Sequence, residues 1–197
     1  MDNNLENELL PESPENEAPK NNRFSRFFDF VELVAVCFAA GFILLLLFFR
    51  HCPVVGSSMY PTLSENDVLI VSIFNYTPRA NDIIVCQSES YGLDTPLVKR
   101  VIATEGQTVT IDYESWTVTV DGITLDEDYI NRALVPMNPS NFLPETFTVP
   151  ENHVFVMGDN RNGSTDSRDA RIGFVDERYI LGKVSVRISP LSKFKIF

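Results

Sequence analysis

Ser58 and Lys99 are the two side chains whose types and settings could do chemistry together. Ser58 lies in a turn-like run of small residues and proline, GSSMYP at positions 56–61. A serine hydroxyl is a poor nucleophile at its ordinary pKa and needs a nearby base. Lys99 lies inside an apolar, strand-like run, and burial would lower the pKa of its ammonium group until it could act as that base. The alternative is that Lys99 reaches into solvent from an edge strand, and the strand pattern alone does not decide between the two.

Histidine is the usual base for a serine nucleophile, and the chain has two histidines. His51 stands at the end of a long apolar stretch, which is an awkward place for a partner of Ser58. His153 precedes a strand-like run, and a Ser-His-Asp arrangement with His153 and Asp159 is the alternative to the serine–lysine pair.

A polar loop at positions 157–168, MGDNRNGSTDSR, is the third candidate element. A calcium loop would need carboxylates at alternate positions and a closing glutamate, which this run does not supply. Arg161 and Arg168 inside the loop also disfavour a cation. The composition instead predicts an internally braced loop with an ion pair between Asp166 and Arg168.

An apolar stretch at positions 30–49 precedes Ser58 by nine residues. Twenty helical residues reach about 30 Å, the thickness of a bilayer's hydrocarbon core. A cleaved signal peptide is the competing interpretation, but its apolar segment would be shorter and followed by a small-x-small site. Here the sequence RHCP follows, so we predict an uncleaved anchor that ties Ser58 to a membrane surface.

Charge and composition indicate the orientation, the domain organisation and the class of partner. Three basic residues, Lys20, Arg23 and Arg26, precede the span and only Arg50 follows it closely, which predicts a cytoplasmic N-terminus. The 197 residues suit a disordered cytoplasmic tail (1–29), a transmembrane anchor (30–49) and one extracytoplasmic domain (50–197). The net charge of −11 argues against nucleic acid as a partner. Three cysteines, at positions 37, 52 and 86, form no disulfide or metal pattern.

The body after the span is predicted to be mainly β. β-branched or alternating runs bounded by turn residues lie at 68–73, 83–86, 97–102, 108–111, 117–125, 154–157 and 183–188. Asp121-Gly122 is a tight-hairpin signal within the fifth run. No segment of the body has a sustained helical period, so a barrel-like or sandwich-like all-β domain is expected.

Together these pieces resemble type I signal peptidases, the membrane-anchored serine–lysine proteases. Residues 56–63 resemble the nucleophile box, 81–85 the following strand motif, 98–102 the general-base box and 158–168 the last box. Four motifs in the family's order behind an anchor make the resemblance specific. It implies a barrel-like catalytic core with a small β extension at about 107–151.

The resemblance also implies a role for individual residues. Ser58 takes the place of the catalytic serine and Lys99 that of the general base, as in bacterial members. Ser164 would orient Lys99, while Asp166 and Arg168 would hold the loop. The resemblance also bears on the neighbours of Ser58. Met59 would line the substrate site, and Gly56 and Ser57 belong to the oxyanion-hole region. Some members have a serine hydroxyl where Gly56 stands, so here the hole would rest mainly on backbone N–H groups. The single anchor and the short stretch between the last two boxes resemble the compact, Gram-positive-type branch.

The implied reaction is removal of N-terminal signal peptides from exported preproteins after small residues, at an Ala-x-Ala-like site, through an acyl-enzyme. Serine–lysine chemistry needs no metal or cofactor. Signal peptides, membrane lipid and the secretion translocon would be the partners, and nucleic acid would not. Two other functions fit parts of the pattern: a self-cleaving regulator, which would carry a DNA-binding segment in place of the span, and a membrane-tethered β-domain that only binds peptides or envelope components.

Overall fold

The computed structural model describes residues 22–88, 92–113, 115, 117–130 and 146–197. The chain divides into two compact units, with the boundary between Leu44 and Leu45. The predicted tail, apart from residues 22–29, and positions 131–145 of the predicted β extension lie outside the described residues.

The helix α1 spans Asn22–Phe48, and residues Arg23–Phe48 are long and apolar enough to cross a membrane. It begins before the predicted apolar stretch because no proline or glycine interrupts the chain between Asn22 and Gly41. It ends one residue early, since Phe49 already belongs to the first strand. The prediction of a single N-terminal apolar helix followed by a β body is confirmed.

The larger sheet has eight antiparallel strands. They are β1 (Phe49–Pro53), β2 (Val68–Ser72), β3 (Ile83–Ser88), β4 (Gly92–Ala103), β9 (His153–Met157), β10 (Val175–Asp176), β11 (Ile180–Ser189) and β12 (Lys195–Ile196). The order is β1-β2-β11-β3-β4-β9-β10, and β12 pairs with β11. No pairing joins β1 to β10 within the part of the chain that is described, so this barrel-like sheet is not closed.

A smaller sheet is inserted between β4 and β9. Its strands are β5 (Thr108–Asp112), β6 (Thr117–Val120), β7 (Ile123–Thr124) and β8 (Thr146–Thr148), in the order β7-β6-β5-β8. Asp121 and Gly122 join β6 to β7 with φ angles of 51° and 81°. Two consecutive positive φ angles are those of a type I′ turn, whose twist matches that of the flanking strands.

The hydrophobic core has three buried clusters, and two of them position the candidate site. The first holds Val54, Met59, Leu63 and Leu69 together with residues of β3 and β11, and it lies beneath the segment that carries Ser58. The second joins β4 and β9 to the smaller sheet through residues such as Ile102, Val109 and Phe155. The third lies between β3, β4 and β9. Strand β4 therefore runs through the packed centre of the molecule rather than along an edge.

Candidate active site

Ser58 lies in the loop between β1 and β2, which is held at both ends. Val54 N–H donates to the Asp67 carbonyl at 2.8 Å, and Asn66 N–H donates back to the Val54 carbonyl at 2.9 Å. Met59 is only 1% exposed and Leu63 is fully buried, so both side chains pin the loop to the core. Ser58 between these anchors is half-buried. A core position is thus found for Met59, and its predicted contact with substrate stays a prediction.

Lys99 extends from β4 directly to Ser58. Its Nζ donates a hydrogen bond of 2.8 Å to Ser58 Oγ. Lys99 is 3% exposed, and burial lowers the pKa of its ammonium group, although the nearby Asp166 carboxylate opposes the shift. The strand pattern left open whether this lysine points into solvent or into the interior, and the structure places it in the interior.

The residues of strand β3 that lie beside Lys99 are apolar. Ile84 is its register partner on β3, and Cys86 lies two residues further along that strand. Both residues are fully buried. Burial raises the pKa of the Cys86 thiol to about 12, so this thiol is neutral and supplies no counter-charge to an ammonium group at neutral pH.

The polar loop after β9 packs against the backbone of the serine. Asn160 N–H donates to the Ser58 carbonyl at 3.0 Å, and Asn160 Nδ2 donates to the Ser57 carbonyl at 3.1 Å. A Cβ at Gly158 would lie 2.4 Å from the Ser58 carbonyl oxygen and 2.2 Å from Ser164 Oγ. Only glycine therefore allows the loop to approach Ser58 this closely.

Ser164 is buried next to Asp166, whose pKa it helps to lower. The Ser164 hydroxyl makes no well-aligned hydrogen bond with any residue in the described ranges, and the Lys99 ammonium donates to Ser58 instead. The orienting role of Ser164 toward Lys99 accordingly stays a prediction.

Asp166 and Arg168 form a fully buried ion pair within this loop. Arg168 Nε lies 2.8 Å from Asp166 Oδ1, and Arg168 Nη2 lies 3.0 Å from Oδ2. Arg168 also donates to the Arg161 carbonyl at 2.7 Å, and Gly158 N–H donates to Asp166 at 2.9 Å. Burial alone would raise the pKa of Asp166, but the Arg168 guanidinium and these donors hold it below its usual range. Through these contacts the ion pair links several residues of the loop and braces it internally.

Two further ion pairs at the site were not predicted from the sequence. Arg100 forms a bidentate pair with Asp159, and Arg161 forms one with Glu127. Asp159 additionally accepts a hydrogen bond from Thr62 in the serine loop. The available signal was alternation along β4, which directs Arg100 to the face opposite Lys99 but does not identify its partner.

The Ser-His-Asp alternative finds no support in this geometry. Both carboxylate oxygens of Asp159 accept hydrogen bonds from Arg100. His153 Nδ1 lies 2.7 Å from the Glu151 carbonyl, and none of its described contacts reaches Ser58. Within the described ranges, no three or more His, Cys, Asp or Glu side chains cluster in a way that could hold a metal ion.

An apolar cavity of about 140 Å³ lies along the strands that lead to Ser58 and Lys99. Five neighbouring strands contribute to it. Its lining includes Cys52, Val71, Val85, Pro96 and Leu181. Cys52 precedes Ser58 by six residues, and Pro96 precedes Lys99 by three. A small aliphatic side chain of a bound peptide would suit the size and polarity of this cavity.

Comparison with known proteins gives a consistent result. Residues 27–189 match the family described as signal peptidase, peptidase S26. A probable signal peptidase I-1 from Synechocystis sp. is 38% identical over 77% of this chain and 78% of its own length. Signal peptidase IB from Staphylococcus aureus is 31% identical over 85% of this chain and 92% of its own.

A solved structure is also similar. The crystal structure of a signal peptidase I from Enterococcus faecalis V583 is 31% identical, with a TM-score of 0.46, and the match covers 56% of this chain and 98% of that one. The family match extends over most of the sequence, from within helix α1 to the end of β11. The chain belongs to the signal peptidase family, peptidase S26.

Proposed function

We propose that this protein is a membrane-anchored signal peptidase I that cleaves N-terminal signal peptides from exported preproteins after small residues, with Ser58 as nucleophile and Lys99 as general base. The observation that carries the proposal is the 2.8 Å separation of Lys99 Nζ and Ser58 Oγ, 41 residues apart in sequence. A lysine is buried without a carboxylate in hydrogen-bond contact only at considerable cost, which favours a functional reason for its position.

In the proposed reaction, neutral Lys99 takes the proton of Ser58 Oγ as that oxygen attacks the scissile carbonyl carbon. The resulting ammonium passes the proton to the leaving amine, and the acyl-enzyme forms as the peptide C–N bond breaks. Lys99, neutral again, removes a proton from the water that attacks the ester carbonyl. Ser58 Oγ then leaves and recovers its proton from the lysine.

Backbone donors would stabilise the oxyanion that forms at each attack. The N–H of Ser58 has no hydrogen-bond partner among the described residues, so it is available for this purpose. One such donor can contribute about 3 kcal/mol of transition-state stabilisation. Gly56 carries no hydroxyl that could assist, which leaves the task to the backbone.

Substrate binding by strand addition is consistent with the sheet. β1 is an edge strand that leads directly into the Ser58 loop, and the apolar cavity opens beside Cys52 of this strand. An extended peptide can add to such an edge through main-chain hydrogen bonds while alternate side chains enter pockets. The small volume of the cavity supports the proposed preference for small residues.

The decisive experiment is cleavage of a preprotein that carries an Ala-x-Ala site, with the full-length enzyme in detergent. Wild type should release the signal peptide, whereas Ser58→Ala and Lys99→Ala should lose activity by at least about 10³-fold. Ser115→Ala is the matched control, because Ser115 is an exposed serine in the turn between β5 and β6. Equal cleavage by wild type and Ser58→Ala would contradict the proposal and favour a β-domain that only binds peptides.

We also propose the orientation predicted from the basic residues, with residues 1–29 in the cytoplasm and residues 50–197 outside as the peptidase domain. In this orientation Ser58 would face the side of the membrane on which an inserted signal peptide emerges from the secretion translocon. Protease added to intact cells should degrade the peptidase domain and spare an epitope placed in the tail. Digestion of the tail from outside would reverse the topology.

A further inference from the structure

We propose that a polar cavity beside the end of helix α1 binds the phosphate group of an anionic membrane lipid. The cavity has a volume of about 480 Å³, and we call it the phosphate cavity. Its lining includes Ser72, Phe74, Tyr76, Arg79, Asp82 and Lys183. None of these residues takes part in the proposed peptidase chemistry. The inference rests on α1 as a membrane span and is independent of the proposed function.

The strand register places this cavity next to the point where the chain leaves the helix. Phe49, the first residue after α1, pairs with Ser72 of β2, and Ser72 pairs on its other side with Lys183 of β11. Two strand spacings of about 4.8 Å each put Lys183 about 10 Å from Phe49. The phosphate cavity therefore lies along the row of the sheet that is nearest to the end of the span.

A contact between two aromatic side chains also places the phosphate cavity next to the end of α1. Phe48, the last residue of α1, packs edge-to-face on Phe74 with ring centroids 5.0 Å apart, and its carbonyl accepts a hydrogen bond from Ile73 N–H at 3.1 Å. Phe48 and Phe74 belong to the same compact unit. Phe74 is nevertheless 67% exposed, although it is large and apolar. The polar headgroup layer of a bilayer is about 5–7 Å thick on each side, so a bilayer that ends near Phe48 would bring this layer to Phe74.

The charges of the cavity suit a singly negative ligand. Lys183 Nζ lies 2.6 Å from Asp82 Oδ1, and the Tyr76 hydroxyl donates to Asp82 Oδ2 at 2.7 Å. These contacts neutralise one positive charge and fix the position of the ammonium group, while the Lys183 side chain as a whole stays one-third exposed. Arg79 is exposed, and its guanidinium has no partner among the described residues. The side chains that line the cavity thus carry one net positive charge, which matches a phosphodiester monoanion.

A lipid is a better occupant of this cavity than a soluble anion because of the exposed ring at its rim. A phosphodiester bound between Arg79 and Lys183 would leave the glycerol backbone and acyl chains to contact Phe74. Hydroxyl groups such as that of Ser72 would face the polar part of the headgroup. Inorganic phosphate would use only the cationic part of the site.

The test measures lipid retention by native mass spectrometry, with the full-length protein in neutral detergent and phosphatidylglycerol or phosphatidylcholine added. Wild type should retain phosphatidylglycerol more tightly than phosphatidylcholine. Arg79→Glu should weaken phosphatidylglycerol retention about tenfold, as expected for the loss of a charge-assisted contact. Arg79→Gln should give a smaller loss. Arg178→Gln is the matched control, since Arg178 is an exposed arginine on the turn before β11 and should not change retention.

Two variants of a second cavity residue, Lys183, test the proposal independently of Arg79. Lys183→Gln should also reduce retention, and Lys183→Arg should restore it, because arginine keeps both the charge and the pairing with Asp82. Equal retention of the two lipids by wild type, or unchanged retention in Arg79→Glu, would overturn the proposal. Binding of inorganic phosphate as tight as that of the lipid would likewise overturn it and identify a soluble anion as the occupant. Ser58→Ala can be used throughout, so the outcome does not depend on peptidase activity.

Discussion

Arg100 and Asp159 form a buried bidentate ion pair that joins strand β4 to the polar loop beside Ser58. Arg100 Nε and Nη2 lie 2.8 Å and 2.7 Å from the two carboxylate oxygens, and Asp159 is fully buried. The same carboxylate accepts a hydrogen bond from Thr62 of the serine loop. The pair therefore ties the strand of Lys99 and the loop of Ser58 to one anchoring point.

Replacement of Asp159 by alanine should destabilise the protein strongly. The change leaves the Arg100 guanidinium buried without its carboxylate, which typically costs about 3–5 kcal/mol. We expect a loss of this size in the free energy of unfolding measured by denaturant titration. Arg178→Ala is the control, because Arg178 pairs with Asp176 at the surface and its loss should cost about 1 kcal/mol or less. Similar losses for the two variants would contradict a special role for the buried pair.

Gly158→Ala should impair both stability and activity. The new Cβ would lie 2.4 Å from the Ser58 carbonyl oxygen and 2.2 Å from Ser164 Oγ, and the first of these is backbone that cannot rotate away. Overpacking of this kind costs about 1–3 kcal/mol. The displacement of Ser58 should lower kcat by at least about tenfold, because misplacement by 1 Å can cost 10²-fold. Gly41→Ala is the control, since nothing lies within 4 Å of a Cβ there and no loss is expected.

Gly56→Ser tests the oxyanion hole. Gly56 has a φ of 80°, which disfavours any residue with a Cβ, although the space around that Cβ is open. We expect a loss of about 1–2 kcal/mol in stability from the backbone alone. If the added hydroxyl assists the oxyanion, kcat per folded enzyme should rise. Gly56→Ala separates the two effects, because it carries the same backbone strain without the hydroxyl. A higher kcat in the alanine variant as well would exclude hydroxyl assistance.

The β-strands were predictable from sequence because their alternation is local. The runs at 68–73, 83–86 and 183–188 became β2, β3 and part of β11, and the Asp121-Gly122 signal produced the expected hairpin. The neighbours of each strand were not predictable in the same way. β11 pairs with β2 and β3, about 100 residues earlier, and only packing of the whole sheet selects this arrangement.

The same distinction applies to the site: the local sequence predicts some of its features, and contacts between distant segments determine the others. Alternation on β4 placed Lys99 and Arg100 on opposite faces but could not say which face was buried. Both turned out to be buried, because β4 crosses the centre of the sheet and each face is covered. The sequence suggests Asp159 only as a partner for His153, whereas its position beside Arg100 depends on the pairing of β4 with β9. The Arg161–Glu127 pair likewise depends on a distant segment folding over the polar loop.

The rate of cleavage should depend on pH through the protonation of Lys99. Because the base must be neutral and burial lowers its pKa, kcat/KM should rise with pH and level off below the ordinary lysine value of 10.5. The measurement is a pH–rate profile on a preprotein, limited to the range in which the fold is intact. A rate that continues to rise through pH 10.5 would contradict an activated lysine. Lys195→Met, which removes an exposed lysine, should leave the profile unchanged.

The same pKa shift predicts how stability depends on pH. The pKa of Lys99 is lower in the folded than in the unfolded chain, so between the two values the unfolded chain binds more protons. The free energy of unfolding should therefore rise with pH across this window, which ends near 10.5.

Lys99→Met keeps the length and volume of the side chain but removes the ionisable group. At neutral pH this variant should be more stable than wild type, by about 1.4 kcal/mol for each pKa unit of the shift. The variant should also lack the part of the rise in the free energy of unfolding with pH that comes from Lys99. Urea titration between pH 6 and about pH 10 measures this. A Lys99→Met variant that is less stable than wild type at neutral pH, with the same pH dependence, would mean that the lysine is stabilised as an ammonium ion and is not the base.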